Sequence, residues 1–266
     1  MRKQIATMLV AFTMLVAFAM LAAFAMPVAS AERPSVKQLT AFFEDVVFGA
    51  EYAKSGASEI RKWEEPIRIS VSAMSSRMID KPGGGKELKL AKARPDAAHV
   101  TMIRKHLKTL MKNTGVKSES AKKVNKKPNF FIKIVPRLAM HAPFMVRGAN
   151  PKLLRRLAAP GVCYFLTAAK QGRIIWATII VNNQLAADAI NACLMEEMTQ
   201  ALGLPNDSDL VKPSVFNNRS QPTSLNRNDL IVIRSLYDRR LKAGMAKQKV
   251  MAIVGRIIAE QDKKLR

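Results

Sequence analysis

Cys193-Leu-Met-Glu-Glu-Met-Thr-Gln-Ala-Leu-Gly-Leu-Pro-Asn-Asp207 is the stretch on which the reading of this chain turns. Its apolar spacing predicts the second half of a helix over 188–202, and Gly203 followed by Pro205 ends it. Cys193 and Glu196 lie one turn apart, Glu196 and Gln200 another, and Glu197 stands beside the first carboxylate. Adjacent carboxylates at a helix end can serve as a general base or as oxygen ligands for a hard cation. They can equally hydrogen-bond at i, i+4, Glu196 to Gln200, and anchor the loop that follows Gly203.

Upstream of that helix, Val162 to Thr167 and Arg173 to Val181 read as two strands joined by a turn at Gln171-Gly172. Further back, residues 36–54 read as a helix through Leu39, Phe42, Phe43, Val46 and Val47. Strands are predicted over Ile67–Ala73 and Asn129–Val135, and a helix over Ala97–Lys112 with Asp96 as its cap. Pro82-Gly83-Gly84-Gly85 is loop chemistry, and residues 137–160 read as irregular. Downstream, Asn226 with Asp229 opens a helix to Tyr237, and a last amphipathic helix covers residues 246–263. The order of elements predicts one α+β domain with a helical tail.

The first segment and the cysteines point to a compartment. Arg2 and Lys3 precede an uncharged run from Ile5 to Met26, broken by Pro27 and followed by Ala29-Ser30-Ala31. That is the build of a secretory signal peptide over residues 1–31, with a retained membrane anchor as the alternative. The expectation is an exported protein, periplasmic or secreted. Cys163 and Cys193 are the two cysteines, and in an oxidising compartment one disulfide is the simplest reading. Two buried free thiols are the other.

The charge is +24 overall, and residues 81–128 hold fourteen Lys or Arg against Glu87, Asp96 and Glu119. Such density attracts anionic lipid or polysaccharide, or simply keeps a face solvated. No aromatic is interleaved with these cations, so stacking on nucleic acid, and with it a specific nucleic-acid partner, is not expected.

The stretch at 193–207 resembles the metzincin metallopeptidase frame of two helical ligands, a base, a glycine turn and a third ligand. Here the frame reads E-E-x-x-Q-x-x-G-x-x-N, with Glu196, Gln200 and Asn206 at the ligand positions, Glu197 at the base and Gly203 at the turn. Leu225-x-x-x-Asp229-x-x-x-Ile233-x-x-Leu236-Tyr237 looks like the final helix of such domains, and Ser214-Val215-Phe216 falls where they place a methionine turn. Over residues 38–245 the chain more closely resembles a bacterial exported family called domain of unknown function 2927. The matching features are Val47-Phe48-Gly49-x-Glu51, Trp63-x-x-Pro66-Ile67, Cys193-x-x-Glu196-Glu197, Gln200 to Asp207, and Leu236-Tyr237-Asp238 with Gly244-Met245. The resemblance implies a zincin-like fold over 32–245, with a mixed sheet, a long site helix and C-terminal helices; residues 246–266 would form the amphipathic tail.

Zinc takes three protein ligands, commonly His with a carboxylate, and the neutral amides of Gln200 and Asn206 are poor ones. His99, His106 and His141 lie outside the site helix, the first two separated by two turns. No cofactor and no metal are therefore expected. The main expectation is a non-catalytic zincin-like domain that binds a peptide or an envelope component. One alternative is a hydrolase that uses Glu197 as base with a non-standard cation held by Glu196, Asn206 and Asp207. The other is a basic protein that holds an anionic envelope polymer or lipid. The sequence carries no sign of an oligomeric state.

Overall fold

The computed structural model describes residues 33–49, 56–146, 148–217, 219–220 and 222–265. The signal-peptide reading of residues 1–31 falls outside them. Among the described residues no helix is long and apolar enough to cross a membrane.

Helix α1 (Val36–Phe48) opens on a capping box in which Ser35 and Gln38 satisfy each other's backbone N–H groups. It buries Leu39, Phe42, Phe43, Val46 and Val47, the stripe visible in the sequence. It ends at Phe48, before the expected residue 54: Gly49 is extended, and a Cβ there would lie 2.3 Å from Asn206 Nδ2. The chain leaves the helix where the loop after the site helix comes in.

Strand β1 (Ile69–Asp80) runs past its predicted end at Ala73 and pairs antiparallel with β2 (Lys86–Ala93). Pro82–Gly85, read as loop, is the tip of this hairpin, closed by Lys81 N–H to the Gly85 carbonyl at 2.9 Å; the flanking strand extensions were not expected from the sequence. Beyond Met74 neither strand has a fully buried residue, and both carry polar residues where a buried strand shows apolar alternation, so no strand signal was visible.

Helix α2 (Ala97–Thr114) follows its Asp96 cap, and β3 (Phe130–Val135) comes next. Within the stretch read as irregular lies a third helix, α3 (Pro151–Ala158), capped by Asn150 with Pro151 in its first turn. Its two turns bury Leu154, Leu157 and Ala158, too few positions for a period to stand out. Then come β4 (Cys163–Lys170), β5 (Arg173–Asn182), α4 (Ala187–Gln200), α5 (Arg227–Leu236) and α6 (Lys247–Lys264).

The five strands form one mixed sheet in the order β2-β1-β3-β5-β4. The inner three are parallel, and the two edge strands run antiparallel to their neighbours. Side chains alternate across it. Ile69, Val71, Phe130, Ile132, Ile134, Ala177 and Ile179 face the main core with α1, α2, α4, α5 and α6. Val135, Tyr164 and Ile180 face a second core, closed by Met140, Met145, Leu154 and Leu157 from the 137–158 segment. Helix α6 contributes Val250, Val254, Ile257 and Ile258 to the main core, so the tail helix is built into it. The chain is α+β, with β4 and the start of α4 on the sheet edge opposite the hairpin.

Candidate functional site

The site begins with how α4 ends. Four carbonyls at a helix C-terminus lack helical partners and must find others. Trp63 Nε1 donates to the Ala201 carbonyl at 2.9 Å, and the Tyr237 hydroxyl donates to the Leu202 carbonyl at 2.7 Å. The same hydroxyl accepts from Trp63 N–H at 3.2 Å. Trp63 and Tyr237, singled out in the sequence without a role, are thus the cap of the site helix. Lys62, buried under this junction, donates to the Leu236 and Leu241 carbonyls at 3.0 and 2.8 Å, and burial pushes its ammonium down to about 8.

Gly203 turns the chain with φ +107°, a conformation that favours glycine, and a Cβ there would lie 1.9 Å from the Arg61 carbonyl. The loop beyond is held from both sides. Gln200 Nε2 donates to Asp207 Oδ1 at 2.6 Å, and Asn206 Nδ2 donates to the Asp207 carbonyl at 2.7 Å and to Asp45 Oδ1 at 3.2 Å. Asp45, on α1, belongs to this arrangement and was not singled out in the sequence; only its closeness to the Val47-Phe48-Gly49 signature hinted at it.

Below the loop, Ser208 N–H donates to the Phe216 carbonyl at 2.7 Å, and the Phe216 ring meets Phe42 edge-on at 5.8 Å. The 214–216 turn is fixed by Asp229. Its Oδ1 accepts from Ser214 Oγ at 2.6 Å, and its Oδ2 accepts from Val215 N–H at 3.4 Å and from Asn226 N–H at 3.0 Å. Asp229 is fully buried, and that desolvation pushes its carboxyl up to about 6 against the pull of the three hydrogen bonds. One carboxylate thereby caps α5 and pins the turn beneath the site.

Above α4 lies a cleft of about 790 Å³. Glu196, Glu197, Gln200, Gly203 and Asp207 line one wall, and residues 162–167 of the β4 edge line the other. Glu197 is 6 % exposed and Glu196 half-buried. Arg61, Asn217 and Ser220 complete the polar lining, and Leu153 and Leu157 supply apolar lining from α3. The Cys163–Cys193 disulfide joins the two walls, edge strand to site helix.

Asn182 N–H donates to the Val162 carbonyl, which sets the alternation along β4. Tyr164 and Leu166 bond to β5, while the backbone groups of Cys163, Phe165 and Thr167 point to the outer edge. Among the described residues these three make no backbone hydrogen bond on that side.

The ligand positions of the metallopeptidase frame do not fit zinc. Two of the three carry amides whose nitrogens are directed at Asp207 and Asp45. The histidines are elsewhere: His106 is buried against α4 with Nε2 2.7 Å from Asn191 Oδ1, burial lowers its pKa, and His141 is exposed. Among the described residues no group of three His, Cys, Asp or Glu side chains is placed to hold a metal ion.

A family model described as "Protein of unknown function (DUF2927)" matches residues 36–256. Neither the curated proteins nor the solved structures include a match.

Proposed function

The chain belongs to this DUF2927 family, and we propose that it is an exported, zincin-like domain that binds an extended peptide without cleaving it. The observation that carries the reading is the position of β4: an edge strand with outward backbone groups at Cys163, Phe165 and Thr167 forms a wall of the cleft of about 790 Å³. An extended peptide adds to such an edge as a further strand, its main chain supplying affinity and flanking pockets reading alternate side chains. Leu153 and Leu157 on one side, and Glu196, Glu197 and Arg61 on the other, offer an apolar and a polar subsite. The frame of 196–206 and the amides at its ligand positions support a zincin-like domain turned from hydrolysis to binding. The uncharged run of residues 5–26 and the small residues at 29–31 support export.

A random extended-peptide library panned on the purified protein tests this reading, followed by calorimetry on the selected peptides. Thr167→Pro removes one outward N–H from an edge position that tolerates proline, and the expected loss of affinity is about tenfold, the range of one or two hydrogen bonds. Glu197→Gln is expected to leave binding within about threefold of the native protein, an energy below one hydrogen bond. Selected peptides that are cut by the native protein and spared by the Glu197→Gln variant would establish the hydrolase reading instead.

A further inference from the structure

We propose that the β1–β2 hairpin is a docking arm for an anionic phospholipid surface. Strand β1 pairs with β3 only from Ile69 to Ala73; beyond it the chain continues to Asp80 as an arm paired with β2 alone. Register and pleat place Met74, Met78, Leu88 and Leu90 on one face of this arm, with Met78 directly opposite Leu88. Met74 and Leu90 pack against the second core. Met78 and Leu88 are carried past it and stand 57 % and 38 % exposed. The segment that covers the same face of the sheet adds Leu138 and Phe144, exposed by 62 % and 59 %.

Charge surrounds these apolar positions. Lys86 and Lys92 share the face of Met78 and Leu88 with Asp80, Lys81 sits at the tip, and Arg77 and Lys89 lie with Glu87 on the arm's other face, within a chain of net charge +24. Cations on the rim and apolar side chains at the tip match a bilayer with anionic headgroups over an acyl interior. A soluble polyanion would engage the lysines and leave Met78 and Leu88 in water, so the apolar pair selects lipid over polymer. The inference does not depend on what the cleft binds, since the arm lies on the opposite edge of the sheet.

Co-sedimentation of the chain from Glu32 onward, which carries both cores, with phosphatidylglycerol–phosphatidylcholine vesicles and with phosphatidylcholine vesicles tests the proposal. Binding to the anionic vesicles alone is expected, weakening as salt shortens the reach of the charges. Met78→Ser with Leu88→Ser changes no charge and is expected to lower partitioning about tenfold through lost apolar burial. Lys86→Glu with Lys92→Glu is expected to lower it further, by about fivefold for each charge removed. Circular dichroism would show that both variants keep the fold. Equal binding to neutral vesicles would overturn the proposal. So would partitioning untouched by the Met78/Leu88 pair, which would leave the lysines as guards of an exposed sheet edge. Heparin binding at the same strength and with the same indifference to that pair would assign the arm to polymers instead.

Discussion

Asp229 is a carboxyl whose chemistry is changed by folding. Burial raises its carboxyl to about 6, so the folded protein keeps a proton there that the unfolded chain has already lost. Its contribution to stability is therefore present below the unfolded value near 4 and is lost as pH rises through about 6. Asp229→Asn cannot ionise and escapes that loss. The stability of the native protein relative to the variant is expected to fall by about 1–3 kcal/mol between pH 4 and pH 7, measured by urea unfolding at the two pH values. A difference that stays flat with pH would show that the carboxyl titrates normally. The sequence showed Asp229 only as the third residue of a capping box. Its second task, holding Ser214 and Val215, joins residues fifteen and fourteen positions apart and depends on the path of the intervening loop.

At the scale of elements, the Cys163–Cys193 disulfide connects β4 to α4, the two walls of the cleft. With its ends 30 positions apart, its loss frees an unfolded-chain loop worth about 3–4 kcal/mol in the chain-entropy model. Cys163→Ala with Cys193→Ala is expected to lower the unfolding free energy by about that much, read as a shifted urea midpoint at an unchanged slope. An unshifted midpoint would mean that packing of Phe165 and Leu194 in the main core holds strand and helix together without the bond. The long elements α1, α5 and α6 were legible through their buried stripes and caps, and α4 through the Gly203 and Pro205 stop that follows it. The β1–β2 hairpin and α3 were not, because the first buries little and the second is eight residues long.

At the scale of the molecule, the unit from Ser35 onward is built around a core to which its last helix belongs. Val250, Val254, Ile257 and Ile258 of α6 are fully buried, and Arg227 ties the end of the helix back to α5 through Asp262. Four such side chains are worth about 1.5–3 kcal/mol each, against a total stability of about 5–15 kcal/mol for a domain. A chain ended after Ala246 is expected to lose its cooperative thermal transition and to bind a dye for exposed apolar surface. A truncated protein that melts cooperatively near the native temperature would mean that α6 is an appendage.

What the sequence determined by itself is whatever rests on short-range order. The helical stripes, the caps at Asp96 and Asn226, and the frame of 196–206 were all visible there. So were the cysteine pair and the uncharged run of residues 5–26. Each follows from residues within a few positions of one another, where period and side-chain type act directly. Only the tertiary structure decided that Trp63 and Tyr237 cap the same helix, that Asp45 meets Asn206, and that β4 is an edge facing Glu197. Those pairings span tens to more than a hundred residues. They arise because orphan carbonyls and buried amides must find partners wherever packing brings the chain.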